Sequence, residues 1–328
     1  MANPQKRSGI IDVMRAVAIL SVVYAHCIVI KAEPDSVFSY YEKICTNIGT
    51  VGVGIFYFVS AFCYHPKPHT FFKILLSKLC KIVIPWVLIG IPLWRYCTPS
   101  YEGSAVKSII CFLLGYNSIL YYLTNLMIYF VVFYFIGIIP NVIVKRCICI
   151  FIGLLSWGSI IMESFGISPF PTLYLNPFNF AVFFALGFIV QISPGFVDRI
   201  KKITDNYLWI IGLLLLLSPL TFSYTENVFT PIFEVLFILA AYNVGRLLER
   251  SKWICSIGQN SLYIYLIHAP IAGYTHLFFT LMPYGQYLQI IRPILVLAIA
   301  FGVVLVVRMV VGFFKGIIIK NKNSSEKS

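Results

Sequence analysis

The chain has 328 residues, of which 59% are hydrophobic and only 11% are charged. An ordinary soluble domain is roughly 45–50% apolar and about 25% charged, so this composition excludes a soluble globular enzyme, a disordered protein and a nucleic-acid-binding domain. A mean hydropathy of +0.88 and long apolar runs instead predict an all-α polytopic membrane protein.

The apolar runs predict about ten transmembrane helices, because one span of the hydrocarbon core takes roughly 20 residues. In chain order, the predicted spans cover 10–30, 45–65, 81–97, 119–139, 146–163, 178–192, 207–222, 229–247, 258–281 and 290–316. Segment 105–115 is apolar but too short to span. We therefore expect a single integral-membrane domain over 1–320 and a polar cytoplasmic tail over 321–328.

The positive charges predict the orientation of these spans. With ten spans, eighteen of the 25 Lys and Arg residues fall on the side of the N-terminus and five on the opposite side. Because Lys and Arg concentrate in cytoplasmic loops, both termini are predicted to be cytoplasmic, in a multi-pass protein of the plasma or inner membrane. The nine cysteines are scattered through apolar stretches, and this spacing predicts no metal site.

Three ionisable residues fall in the first predicted span, where such side chains are costly and mark candidate functional sites. Asp12 and Arg15 are three residues apart and can pair on one helix face. Arg15 and His26 are eleven residues apart, which places them on the same face with about 16 Å between them along the axis. The alternative is that Arg15 reaches the inner headgroups and His26 is an interfacial histidine.

Five short motifs follow one another along the chain. The first is IIDVMRAVAILSVVYAH, which ends at His26, and the next is GVGIFYFVSAF over 52–62. KLCKIVIP starts the third span, LYYLTNLMIYF covers 120–130 and SLYIYLIHAP covers 261–270. In this order, over nearly the whole chain, they resemble the motifs of the membrane acyltransferase family 3, the acyl-CoA-dependent O-acyltransferases of cell-envelope glycans.

This resemblance implies the reaction and its site. It implies acyl transfer from cytoplasmic acyl-CoA, with acetyl-CoA as the expected co-substrate, to a hydroxyl of a cell-envelope carbohydrate or lipid-linked glycan. Asp12, Arg15 and His26 match the first motif of the family. The third motif departs from it, because Lys78 and Lys81 stand where the family has two arginines, and lysine cannot bind a phosphate through a planar fork.

The donor is expected at the cytoplasmic mouth of the third span. Lys73, Lys78 and Lys81 lie beside a helix start, and such a cluster of cations suits the phosphates of coenzyme A. Ser60 is expected at the depth of Arg15 on a neighbouring helix. The alternatives are that the lysines contact anionic lipid headgroups and that Ser60 makes an interhelical hydrogen bond.

The acceptor is expected to meet a second group of residues. His268 and Tyr265 share one helix face, and Glu163 and Glu234 lie near the outer ends of their spans, where they could bind sugar hydroxyls. The alternatives are a neutral histidine bonded within the helix bundle and two glutamates that cap the interface.

In the predicted mechanism, His26 is the general base on the acceptor hydroxyl and Arg15 fixes the donor or stabilises negative charge. A mechanism with a covalent acyl-histidine intermediate is the alternative. The rival functions are a carrier or flippase for a polysaccharide or lipid-linked glycan, which would tolerate loss of His26, and a structural partner of an envelope assembly.

Overall fold

The computed structural model describes most of the chain, namely residues 8–27, 37–97, 105–115, 120–168, 170, 173–193, 195–205, 210, 230–282 and 285–325. Within these ranges the protein is built from helices and turns, with no strand. The fold class predicted from composition is confirmed as all-helical. The predicted span 207–222 lies outside the described residues except for residue 210.

The helices are numbered here in chain order. They are α1 Gly9–His26, α2 Val37–Phe62, α3 Phe71–Lys78, α4 Ile84–Cys97, α5 Ala105–Leu114, α6 Tyr121–Gly137, α7 Val142–Ser164, α8 Ala181–Gln191, α9 Phe196–Asp205, α10 Thr230–Leu248, α11 Lys252–Gln259, α12 Ser261–Thr280, α13 Gly285–Leu288 and α14 Arg292–Ser325. A π-helical turn, Leu79–Val83, joins α3 to α4, and a 3₁₀ turn, Leu173–Leu175, precedes α8.

Three helical segments of the described chain are long and apolar enough to cross a membrane. They are Gly9–His26, Val142–Ser164 and Arg292–Phe313. Three shorter apolar segments, Val51–Phe62, Tyr121–Gly137 and Ala181–Gln191, accompany them. These segments fit a membrane protein, whereas the number of ten spans and the orientation of the termini stay predictions.

One predicted span is divided in the structure, and one short apolar segment forms a helix of its own. The predicted span 258–281 is divided at Asn260 into α11 and α12. Asn260 is fully buried, and its side-chain amide donates a 2.7 Å hydrogen bond to the Ser256 carbonyl oxygen. The segment 105–115, which is too short to span the membrane, forms the separate ten-residue helix α5.

The first helix lies at the centre of the bundle, since α1 packs against α2, α10, α11, α12 and α14. Small residues allow the closest of these approaches. A Cβ atom on Gly52 of α2 would come within 2.6 Å of the Ala18 carbonyl oxygen of α1. A Cβ atom on Gly258 of α11 would overlap the Asp12 carbonyl oxygen. These glycines hold α2 and α11 against the two sides of the helix that carries Asp12 and Arg15.

The other half of the bundle packs through aromatic side chains. The ring of Phe184 on α8 lies 4.7 Å from that of Phe133 and 5.4 Å from that of Tyr129, both on α6. Tyr57 of α2 lies 5.1 Å from Tyr129. Tilted and edge-on ring pairs of this kind stabilise helix contacts beyond their buried area, and they fix α2 relative to α6 on one side of the candidate site.

Candidate active site

The polar centre of α1 is an ion pair completed by a distant helix. The Arg15 Nη1 atom lies 3.6 Å from Asp12 Oδ1, which is the pairing that the three-residue spacing predicts. The other carboxylate oxygen, Oδ2, accepts a hydrogen bond of 2.8 Å from the Gln259 side-chain amide on α11. Asp12 is buried, with 2% of its surface exposed, so these contacts stabilise a charge inside the bundle.

Arg15 faces a cavity of about 230 Å³ between α1, α2, α3, α6, α11 and α12. Its side chain is 27% exposed, and its Nη2 atom lies 3.8 Å from Cys63 Sγ. The polar lining is formed by Arg15, Ser60, Cys63, Lys78, Tyr122, Gln259, Ser261 and Tyr265. The apolar lining includes Phe56, Ile82, Leu123, Leu126, Phe130 and Leu262.

Lys78 is held at this cavity by aromatic rings. Its Nζ atom lies 3.7 Å from the centroid of the Phe130 ring and 5.7 Å from that of Tyr64, which is the geometry of a cation–π contact. The Tyr64 hydroxyl in turn donates a 2.8 Å hydrogen bond to the Phe130 carbonyl. The two rings therefore fix the ammonium group on the same cavity as the Arg15 guanidinium.

The other two lysines of the predicted donor site stay outside this cavity. Lys73 and Lys81 are exposed and do not line it. Lys78 ends α3, whereas Lys81 lies within the π-helical turn Leu79–Val83 that follows it. The structure thus brings one of the three lysines to Arg15.

The two predicted histidines lie together, near the end of α1. The rings of His26, the last residue of α1, and His268 of α12 have centroids 5.2 Å apart. His268 is fully buried, and its Nδ1 atom lies 2.6 Å from the Tyr265 carbonyl oxygen. The Tyr265 ring lines the Arg15 cavity. Tyr265 therefore connects the histidine pair to the cavity, although neither histidine lines the cavity itself.

The two predicted acidic residues are elsewhere. Glu163 accepts hydrogen bonds of 2.8 Å from Asn176 and from Asn179, one on each carboxylate oxygen, and a third of 3.2 Å from Ser168. Both asparagines are fully buried. Glu234 is buried on α10. Neither glutamate lines the cavity, and Glu163 belongs to a network that joins α7 to the segment preceding α8.

Several cavity residues have no individual signal in the sequence. Gln259 stands two residues before the SLYIYLIHAP motif, but its contact with Asp12 spans 247 residues. Cys63 follows the second motif directly and resembles the other apolar-helix cysteines. Tyr122 and Phe130 belong to the fourth motif, where aromatic packing is the simpler interpretation.

Arg292, which the charge count places in an outer loop, is 1% exposed and bonds to His276 over 2.7 Å.

Two cations and several hydroxyl groups line one cavity beside the first helix of this membrane-type protein, and such a lining can bind an anionic group. Residues 9–312 of the chain match the sequence profile of the acyltransferase 3 family, which describes an acyltransferase domain. The chain therefore belongs to the acyltransferase 3 family, as its motifs indicate. Comparison with curated proteins and with solved structures finds no match. Family membership supports an acyltransferase activity.

Proposed function

We propose that the protein transfers an acyl group, with acetyl as the expected one, from cytoplasmic acyl-CoA to a hydroxyl of a cell-envelope carbohydrate or lipid-linked glycan. The observation that carries this proposal is the cavity that Arg15 and Lys78 share, in a chain of the acyltransferase 3 family. The proposal includes ten spans, both termini in the cytoplasm and residence in the plasma or inner membrane, for which the distribution of Lys and Arg argues.

The donor step depends on the two cations. Phosphate groups of coenzyme A would bind Lys78 and Arg15, because charge-assisted hydrogen bonds to phosphate are strong. Exposed Lys73 and Lys81 would extend the positive surface outside the cavity and attract the nucleotide. Ser60, which lines the same cavity, is available to the donor as a hydroxyl ligand.

The chemical step depends on His26. Its imidazole would take the proton from the acceptor hydroxyl, whose oxygen attacks the thioester carbonyl. The new C–O bond forms, the C–S bond breaks, and the coenzyme A thiolate leaves with the proton that His26 returns to it. Since His26 is eleven residues and about 16 Å beyond Arg15 along α1, the thin arm of the donor would have to span that distance. In the alternative, His26 first takes the acyl group, so that a C–N bond forms as the C–S bond breaks, and the acceptor hydroxyl then forms the C–O bond as the C–N bond breaks and its proton passes to the departing coenzyme A thiolate.

The acceptor side is proposed from the residues beyond the cavity. Tyr265 borders the donor cavity and contacts His268, so an acceptor hydroxyl at His26 would lie near both. Glu163 is committed to Asn176 and Asn179, which leaves less of its carboxylate for a sugar. Membrane lipids would surround the helices. The reaction as written needs no metal.

The test is acyl transfer by the purified full-length protein in lipid nanodiscs. Glycan extracted from cells lacking the gene is incubated with radiolabelled acetyl-CoA, and mass spectrometry identifies the acylated product. We expect His26→Ala to lower kcat by about 10²–10⁴-fold, the usual contribution of a general base. The matched control is His69→Asn, since His69 is an exposed loop histidine with φ of 59°, a backbone conformation that Asn tolerates.

Two results would contradict the proposal. Acylation by His26→Ala at close to the wild-type rate, in protein that elutes as a folded species, would remove the catalytic assignment. Transport of unmodified glycan with no acyl product would favour the carrier or flippase, which needs a polar path but no base.

A further inference from the structure

The histidine pair contains one buried nitrogen for which the described residues provide no hydrogen-bond partner. His268 is fully buried in α12, and its Nε2 atom has no hydrogen-bond partner within the described part of the chain. A buried polar atom in this state is costly, and native proteins keep few of them. The exposed ring of His26 on α1 has its centroid 5.2 Å away.

The hydrogen bond on the other nitrogen fixes the tautomer of His268. Its Nδ1 atom lies 2.6 Å from the carbonyl oxygen of Tyr265. A carbonyl oxygen only accepts, so Nδ1 must carry the hydrogen. In the neutral ring, Nε2 is then an acceptor with an available lone pair. His268 therefore offers His26 an acceptor of fixed direction.

The separation of the rings suits a bond between them. A nitrogen–nitrogen hydrogen bond of about 2.9 Å, with each nitrogen about 1.1 Å from its ring centre, puts the centroids about 5 Å apart. The planes are tilted by 48°. His26 ends α1 and its side chain is exposed, so a rotation of its ring brings an N–H group towards His268 Nε2 without moving either helix.

We propose that His268 is the positioning residue of His26: its Nε2 accepts the ring N–H of His26, so that the opposite nitrogen of His26 presents its lone pair to the acceptor hydroxyl. This inference rests on the proposed function. When His26 takes the hydroxyl proton, its imidazolium keeps the bond to His268, which stabilises the charge and stays neutral itself. The proton then passes from His26 to the coenzyme A thiolate, so His268 gains and loses no proton.

In this arrangement the acceptor hydroxyl is the nucleophile, His26 is the base and His268 is the third group, which orients the base. Tyr265 holds His268 through its backbone, and its own ring lines the donor cavity. The acceptor machinery and the donor cavity thus share one turn of α12. The Ser-x-x-x-Tyr-x-x-His spacing of SLYIYLIHAP places Tyr265 and His268 three residues apart, and residues at this spacing lie on one helix face.

Three substitutions at His268 test the proposal, in full-length protein in nanodiscs. His268→Gln keeps an acceptor oxygen near the position of Nε2, His268→Asn is too short to reach it, and His268→Met fills the space without a strong acceptor. We expect His268→Asn and His268→Met to lower kcat by about 10- to 100-fold, the usual effect of losing an orienting partner. We expect His268→Gln to recover most of that loss and the KM for acetyl-CoA to stay unchanged in all three.

A double variant separates this inference from the proposed function. In a His26→Ala background, His268→Met is expected to cause no further loss, because the orienting group has nothing left to orient. If His26→Ala abolishes transfer and folded His268→Asn keeps the wild-type kcat, the proposed function stands and the positioning role is wrong. Equal losses in the Gln, Asn and Met variants would also overturn it, since they would reflect packing. Full activity of His26→Ala would instead contradict the proposed function.

Discussion

Glu163 and Asp12 are both carboxylates on apolar helices, yet their surroundings differ. Glu163 has each oxygen matched by a buried asparagine amide, and its network joins two neighbouring segments of the chain. Asp12 accepts a hydrogen bond from Gln259 and forms an ion pair with Arg15. The Arg15 side chain also faces the cavity and is about a quarter exposed. A cluster that satisfies all its members holds helices together, whereas one that leaves a cation facing open space is suited to a ligand.

The largest effect on this comparison is expected from Arg15. Arg15→Ala leaves the buried Asp12 carboxylate without its cation and removes a charge from the cavity, so kcat is expected to fall by about 10²–10³-fold and the midpoint of thermal unfolding to fall as well. Arg15→Lys keeps the charge without the planar fork, so its kcat and its unfolding midpoint are expected to lie between those of the wild type and those of Arg15→Ala. Both quantities are measured in detergent on chromatographically homogeneous protein. A normal kcat in folded Arg15→Ala would place the donor elsewhere.

A smaller effect is expected from Lys78. Lys78→Ala should raise the KM for acetyl-CoA by about 10- to 100-fold with little change in kcat, because a phosphate contact is made equally before and during the reaction. Lys78→Arg should keep the activity. The controls are Lys73→Ala and Lys81→Ala, at exposed positions where a change of at most a few-fold is expected. Equal effects at all three lysines would indicate a general surface attraction for lipid or nucleotide.

Glu163 is expected to affect stability rather than activity. Glu163→Gln replaces one acceptor oxygen by an amide that faces the amide of Asn176 or Asn179, which should cost about 1–3 kcal/mol of unfolding free energy. The kcat per folded molecule should stay at the wild-type value. Denaturation in detergent and kinetics on the same sample measure the two. A lower kcat without a loss of stability would restore Glu163 as an acceptor-binding residue.

The smallest kinetic effect is expected at Cys63. Cys63→Ser leaves the cavity almost unchanged, so its kinetic constants should stay within about twofold of wild type, the scale of a weak contact. Alkylation of Cys63 by a bulky maleimide should nevertheless block the wild-type enzyme, and acetyl-CoA should slow the reaction. Cys147 is the internal comparison, since it is exposed on α7 and does not line the cavity. Equal labelling of Cys63 with and without acetyl-CoA would contradict the donor cavity.

Local spacing predicted the parts of the site that lie on one helix. The Asp12–Arg15 pair and the shared face of Tyr265 and His268 follow from separations of three residues, which the helix geometry fixes. The all-helical class follows from composition, and the family follows from five motifs in order. These features depend on neighbours in sequence, which a single chain displays directly.

Contacts between distant segments could not be predicted in the same way. Nothing in the sequence around Glu163 indicates Asn176 and Asn179 as partners, and the apolar run from Leu79 does not indicate that Leu79–Val83 forms a π-helical turn. The break at Asn260 likewise interrupts a run that hydropathy alone extends as one span. Such outcomes are decided by packing and by the satisfaction of backbone groups.

The hydrogen bond from Gln259 to Asp12 also has a consequence for biogenesis. The two residues are 247 positions apart, and a ribosome adding about 5–20 residues per second takes on the order of 12–50 s to cover that distance. During this interval the Asp12 carboxylate on α1 exists before its partner Gln259 has been made. Since α1 is made before α11, a chain that terminates before α11 lacks the residue that completes the contacts of Asp12.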